Sequence, residues 1–193
     1  MHRGYPIDSY LSQQHPLQQQ ILLIVANVLG VAARDIVMAP DGCGVPTFAA
    51  PLWRFAYAYA FLAAPVSAPA EAKGEFAAEL DRLRNTMLGF PQNIAGEGEL
   101  DTEVTKVTGG KVVAKLGAEG LVCLAVPHAG LGIAIRMIDG STRGLGLLAV
   151  SALEQLGLLE PAINDRLRAR LVKPILNANG WTVGKMQTNL RLR

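Results

Sequence analysis

The chain has 193 residues, half of them hydrophobic and 18% charged, with a formal net charge of +2. So small a charge, carried by scattered Lys and Arg, does not make the one-sided cationic face of a nucleic-acid binder, and two cysteines are too few for a disulfide scaffold. The length fits a single domain over residues 1–193, and the mean hydropathy of +0.26 leaves apolar surface to be buried in a core or covered by another segment.

Met1-His2-Arg3-Gly4 lacks the apolar run of a signal peptide. The longest uncharged stretches, Ser9 to Ala33 and Phe55 to Ala70, are broken by glutamines, His15 and Asn27 in the first and by Pro65 and Pro69 in the second. Neither offers the ~20 continuous apolar residues of a membrane span. The sequence therefore reads as a soluble, cytoplasmic chain with no membrane or nucleic-acid partner.

In chain order, Pro16 opens a helix in which Ile21, Ile24, Val25 and Val28 share one face, and Gly30 ends it. Asp35–Ala39 reads as a short strand running into Pro40-Asp41-Gly42-Cys43-Gly44-Val45-Pro46, a dense set of turn formers. Pro51 suits the first turn of a second helix, where Trp53, Tyr57 and Phe61 stack at i, i+4 among alanines and predict burial nearly all round. Residues 66–73 read as an interhelical loop. A third helix sets Phe76, Leu80, Leu83 and Met87 inward and turns Glu79, Asp81, Arg82 and Arg84 to water.

From Lys111 the pattern changes. Lys111–Lys115, Leu121–Val126 and Leu131–Ile138 are short β-branched runs between glycine turns, close enough together to pair only antiparallel. Asp139-Gly140-Ser141 supplies a turn and a helix cap. The helix after it puts Leu145, Leu148, Ala149, Ala152, Leu153 and Leu156 inward. A last helix starts near Pro161, and Trp181–Leu192 reads as a strand. The order is that of an α+β domain, an antiparallel sheet flanked by helices.

Three residues stand out as carriers of chemistry. Cys43, between two glycines, is an uncrowded thiol that suits a nucleophile, a metal ligand or a small core residue. A nucleophile needs a base in reach and a ligand needs companions at metal spacing, and neither stands nearby in sequence. Asp41 on the same turn is either an Asx-turn acceptor or a carboxylate aimed at a ligand's cationic group. Lys115 interrupts an apolar strand beside Gly117, as a surface lysine or as a desolvated proton carrier. His15 stands at the entrance of the first helix, His128 at a hairpin turn, Cys123 in the core, and Glu97 between two glycines as a possible site-facing carboxylate.

Six ordered motifs carry a resemblance. Asp41-Gly42-Cys43-Gly44-Val45-Pro46-Thr47, with Pro51-Leu52 after it, His15-Pro16-Leu17-Gln18, Ala95-Gly96-Glu97-Gly98, Ala114-Lys115-Leu116-Gly117-Ala118-Glu119-Gly120, Leu131-Gly132-Ile133-Ala134 with Asp139-Gly140, and Asn177 to Gly184 together resemble the asparaginase II, or Rhizobium-type, family. The resemblance implies an L-asparagine amidohydrolase on a glutaminase and serine β-lactamase-like fold. Lys115 matches a proton-carrying lysine of a Ser–Lys pair, Asp41 the carboxylate holding the substrate's amino group, and Cys43 one zinc ligand. The family's S-x-x-K and C-S-G-K-H segments and the serine of the second pair have no counterpart here. The expectation is a carboxy-terminal portion of the family's domain, weakly active alone. The alternative is a non-catalytic homologue that pairs with a separate amino-terminal half or with itself as a dimer.

Overall fold

A computed structural model describes residues 3–65 and 76–192; the loop expected over 66–73 lies outside the described residues. Pro16 opens α1 (Pro16–Leu29), where its missing N–H costs nothing. His15 caps it. Its Nδ1 accepts from the Leu17 amide at 3.1 Å, which leaves the ring proton on Nε2, 2.8 Å from the Pro6 carbonyl oxygen it donates to. The packed side holds Leu22, Val25, Ala26, Val28 and Leu29; Val25 and Val28 of the expected face are there, whereas Ile24 is exposed.

The strand expected after α1 is β1 (Val37–Pro40), and it pairs antiparallel with β2 (Pro46–Ala49). Prolines at the facing ends of both strands hide this hairpin in the sequence, because proline reads as a strand breaker. α2 (Leu52–Ala63) is the expected helix, but it is closely buried only in its second half: Phe61 is 3% exposed and Trp53 58%.

α3 (Ala77–Gly89) turns Leu80, Met87 and Leu88 inward and leaves Leu83 exposed. Arg84 does not point to water as expected. It donates to the Ala63 carbonyl at 3.0 Å and is held there by Asp81, so a cation satisfies the last turn of α2. The short α4 (Gln92–Ala95) and α5 (Leu100–Val107) follow, neither of them anticipated.

The central sheet is β3 (Val113–Gly117), β4 (Leu121–Val126) and β5 (Leu131–Arg136), antiparallel in that order. Side chains alternate across it. Ala114, Val122, Leu124 and Val126 join the core built by α5, α6 (Leu145–Gln155) and α7 (Pro161–Leu171). Val113 and Ala125 face the other way and pack with Leu62 and Ala63 of α2. Ser141 does not cap α6; the cap position is Gly144, with no side-chain bond. The expected terminal strand shrinks to β7 (Thr182–Gly184), paired with β6 (Ile175–Leu176). The architecture is α+β with antiparallel sheets. No helix among the described residues is long and apolar enough to cross a membrane.

Candidate functional site

The β1–β2 hairpin puts Asp41 and Cys43 on one loop. Asp41 Oδ1 accepts the amides of Cys43 at 2.8 Å and Val45 at 3.1 Å, and the Asp41 amide donates to the Val45 carbonyl at 2.9 Å. Gly44 takes φ +78°, which a β-carbon would resist. One carboxylate oxygen is thus committed to the loop. Oδ2 makes no hydrogen bond among the described residues and stays open to a ligand.

Cys43 is exposed, as the two flanking glycines suggested. No group of three His, Cys, Asp or Glu side chains arranged to hold a metal occurs among the described residues. A zinc site draws three or four ligands from protein; the residues here offer one thiol and an adjacent carboxylate. They do not fit a zinc ion by themselves, and no chemical step is drawn through one.

Lys115 lies on β3 directly opposite Cys123 of β4, and alternation with Val113 sets it on the α2 side of the sheet. It is half-buried, and its Nζ donates to the Leu116 carbonyl at 2.8 Å. The amide of the same Leu116 donates to Asp101 Oδ1. Asp101 comes from α5 and is 1% exposed, so a buried carboxyl closes the outer edge of β3. The two peptide groups of Leu116 therefore tie Lys115 and Asp101 together.

Tyr59 of α2 completes this cluster. Burial, then Cys123, then the charge of Asp101 push its phenol above the usual tyrosine range, so the hydroxyl stays protonated. Burial also raises the Cys123 thiol to about 11. The cluster is Tyr59, Asp101, Lys115 and Cys123. Of these only Lys115 stands out in the sequence as a carrier of chemistry; Cys123 reads there as core. Tyr59 is hidden in an aromatic run, and Asp101 in a short helix whose polar residues Asp101, Thr102, Glu103 and Thr105 are buried along with Val104.

Among the described residues, no hydrogen bond or ion pair joins Lys115 to the Asp41–Cys43 loop. Glu97 faces no site; it pairs with Lys106, whose Nζ is 2.6 Å from Oε2. His128 is exposed on a 3-10 turn, and Cys123 is core.

The two thiols should differ sharply in reactivity. At pH 8 a thiol with a value of about 11 is ~0.1% thiolate, and Cys123 is also shielded from reagent. Titration with a colorimetric disulfide reagent is expected to give one fast equivalent, lost in Cys43→Ser, and a second only in denaturant. Two fast equivalents would show that Cys123 is not enclosed.

The family model for L-asparaginase II matches residues 1–188 of the chain. No curated protein matches it.

Proposed function

The chain belongs to the L-asparaginase II family, and from that membership we propose that it serves hydrolysis of the side-chain amide of L-asparagine to L-aspartate and ammonia. The observation that supports a working site is Lys115, a half-buried amine with one hydrogen bond, to the Leu116 carbonyl at 2.8 Å. As a neutral amine that donates one N–H to Leu116, it keeps a second N–H and a lone pair for the reacting groups.

In this reading Asp41 Oδ2 receives the substrate's α-ammonium, and Lys115 carries a proton from the attacking hydroxyl to the departing nitrogen. The attacking oxygen bonds to the amide carbon, the C–N bond breaks and ammonia leaves; water then releases aspartate. No Ser-x-x-Lys spacing occurs in the 193 residues. The proposal gives this chain the substrate-holding and proton-carrying groups, and the nucleophile to a second segment.

Asp41→Asn keeps the Oδ1 acceptor and removes the charge, so the loop survives. It is expected to weaken asparagine binding about tenfold, read by calorimetry. The purified chain should release ammonia from asparagine slowly, and Lys115→Met should lower that rate by about 10²-fold or more. Unchanged turnover in Lys115→Met would end the reading.

A second reading, association with another chain, draws on exposed apolar side chains. Leu23 of α1, Val37 of β1 and Trp53 of α2 are 62%, 67% and 58% exposed. Such residues on successive elements suit a second copy or a separate amino-terminal half. Light scattering should find a dimer or a co-purifying polypeptide; a lone monomer at high concentration would dismiss it.

A further inference from the structure

We propose that the cavity between α5, α6 and the loop after α7 binds a small organic carboxylate with an apolar body. The inference is independent of the amidase reading. The cavity encloses about 390 Å³, within the range of small-molecule sites. Its lining divides by chemistry. Leu100, Leu116, Leu171 and Ile175 are apolar, while Arg143, Arg170 and Lys173 are cationic.

The cations outnumber the carboxylates, three to one, with Glu99 as the only acidic lining residue. Arg170 is partly committed, its Nε lying 3.7 Å from Glu103 Oε2. Arg143 and Lys173 enter no ion pair among the described residues. Every other lysine or arginine in an ion pair among the described residues meets its carboxylate outside this cavity. Two uncommitted cations thus stand at an apolar pocket. Gly146 in the first turn of α6 and Thr142 in the loop before it also line the cavity, so the positive end of that helix adds to the same field.

This pairing selects the ligand. A bare inorganic anion would use the cations and leave the leucines wet, whereas a neutral apolar molecule would leave Arg143 and Lys173 without a partner. A carboxylate carrying a phenyl or short alkyl body uses both. Leu116 lines the cavity while its peptide groups hold Lys115 and Asp101, so occupancy is also visible at β3.

The experiment titrates the full chain with 4-phenylbutanoate, 4-phenylbutanamide and inorganic phosphate, by calorimetry and by amide chemical shifts. Saturable binding of the carboxylate is expected, with shifts at Leu100, Leu116 and Ile175. Affinity should fall about tenfold for the neutral amide and for the double variant Arg143→Gln, Lys173→Gln. Both substitutions are at exposed positions, and an unchanged melting curve verifies the fold. Absence of saturable binding, equal affinity in the double variant, or phosphate binding as tightly as the phenyl carboxylate would each overturn the assignment.

Discussion

Gly132→Ala is expected to cost at least ~3 kcal/mol and to lower the melting temperature by roughly 10 °C. A β-carbon at this position would lie 1.9 Å from the Ala56 carbonyl oxygen, 2.3 Å from the Ala60 nitrogen and 2.8 Å from the Tyr59 carbonyl carbon. All three are backbone atoms of α2, so no rotamer change relieves the overlap. The whole helix would have to lift off β5. Lifting it would uncover Leu62, Ala63, Val113 and Ala125, and each buried apolar side chain returned to water costs on the order of 1 kcal/mol or more.

Gly89→Ala is the matched control. An added β-carbon there meets nothing within 4 Å, and the site lies at the end of α3. That change should be neutral or stabilising by up to ~1 kcal/mol. Thermal melts of the two variants against the parent separate general glycine effects from the contact of α2 with β5. If Gly132→Ala melts with the parent, α2 is not seated on this sheet and the Tyr59–Asp101–Lys115–Cys123 cluster is misdrawn.

The same pair of elements shows why some of the fold is legible in the sequence and some is not. The three β-branched runs from Lys111 onward announce an antiparallel sheet, because alternation and short glycine turns leave no other pairing. Tertiary contacts decide the rest. Arg84 turns inward because the end of α2 has a carbonyl to satisfy, which helical periodicity cannot reveal. Leu83, apolar by type, is exposed. α5 escapes detection because its polar residues are buried through main-chain bonds: Thr102 Oγ1 to the Pro91 carbonyl at 3.0 Å, and Thr108 Oγ1 to the Val104 carbonyl at 2.8 Å. Its apolar stripe is short, Leu100, Val104 and Val107, and polar residues surround it, so a period-based reading has only three positions to find. Hence Lys115 is visible from its strand, whereas the Asp101 carboxyl joined to it through Leu116 is not. Asp41 is visible on its turn, but the division of labour between its two oxygens needs the loop's hydrogen bonds.

Alkaline conditions should unfold the protein through the Tyr59–Cys123 pair. Both groups are acids whose neutral form the fold favours. Burial holds the Cys123 thiol at about 11 against an ordinary 9.0, and Tyr59 is displaced in the same direction. The folded chain therefore keeps protons that the unfolded chain releases, and stability falls with pH wherever that holds. The contribution is complete below about pH 9, declines from there, and is gone once pH passes about 11.

A shift of this size corresponds to roughly 3 kcal/mol from Cys123 alone, with Tyr59 adding to the loss above pH 10. The groups facing them set the sign. Asp101 opposes a phenolate, and Lys115 stands opposite Cys123 in the strand register. Urea unfolding at pH 8, 9, 10 and 11 should show the decline in the parent. Tyr59→Phe should flatten the portion above pH 10, and Cys123→Ala the portion between 9 and 11, whatever packing cost each carries at pH 8. Because the readout is a slope, a general loss of stability cannot imitate it. A parent curve that stays level to pH 11 would mean both groups ionise as freely folded as unfolded. In that case α2 does not enclose the sheet face that bears Lys115.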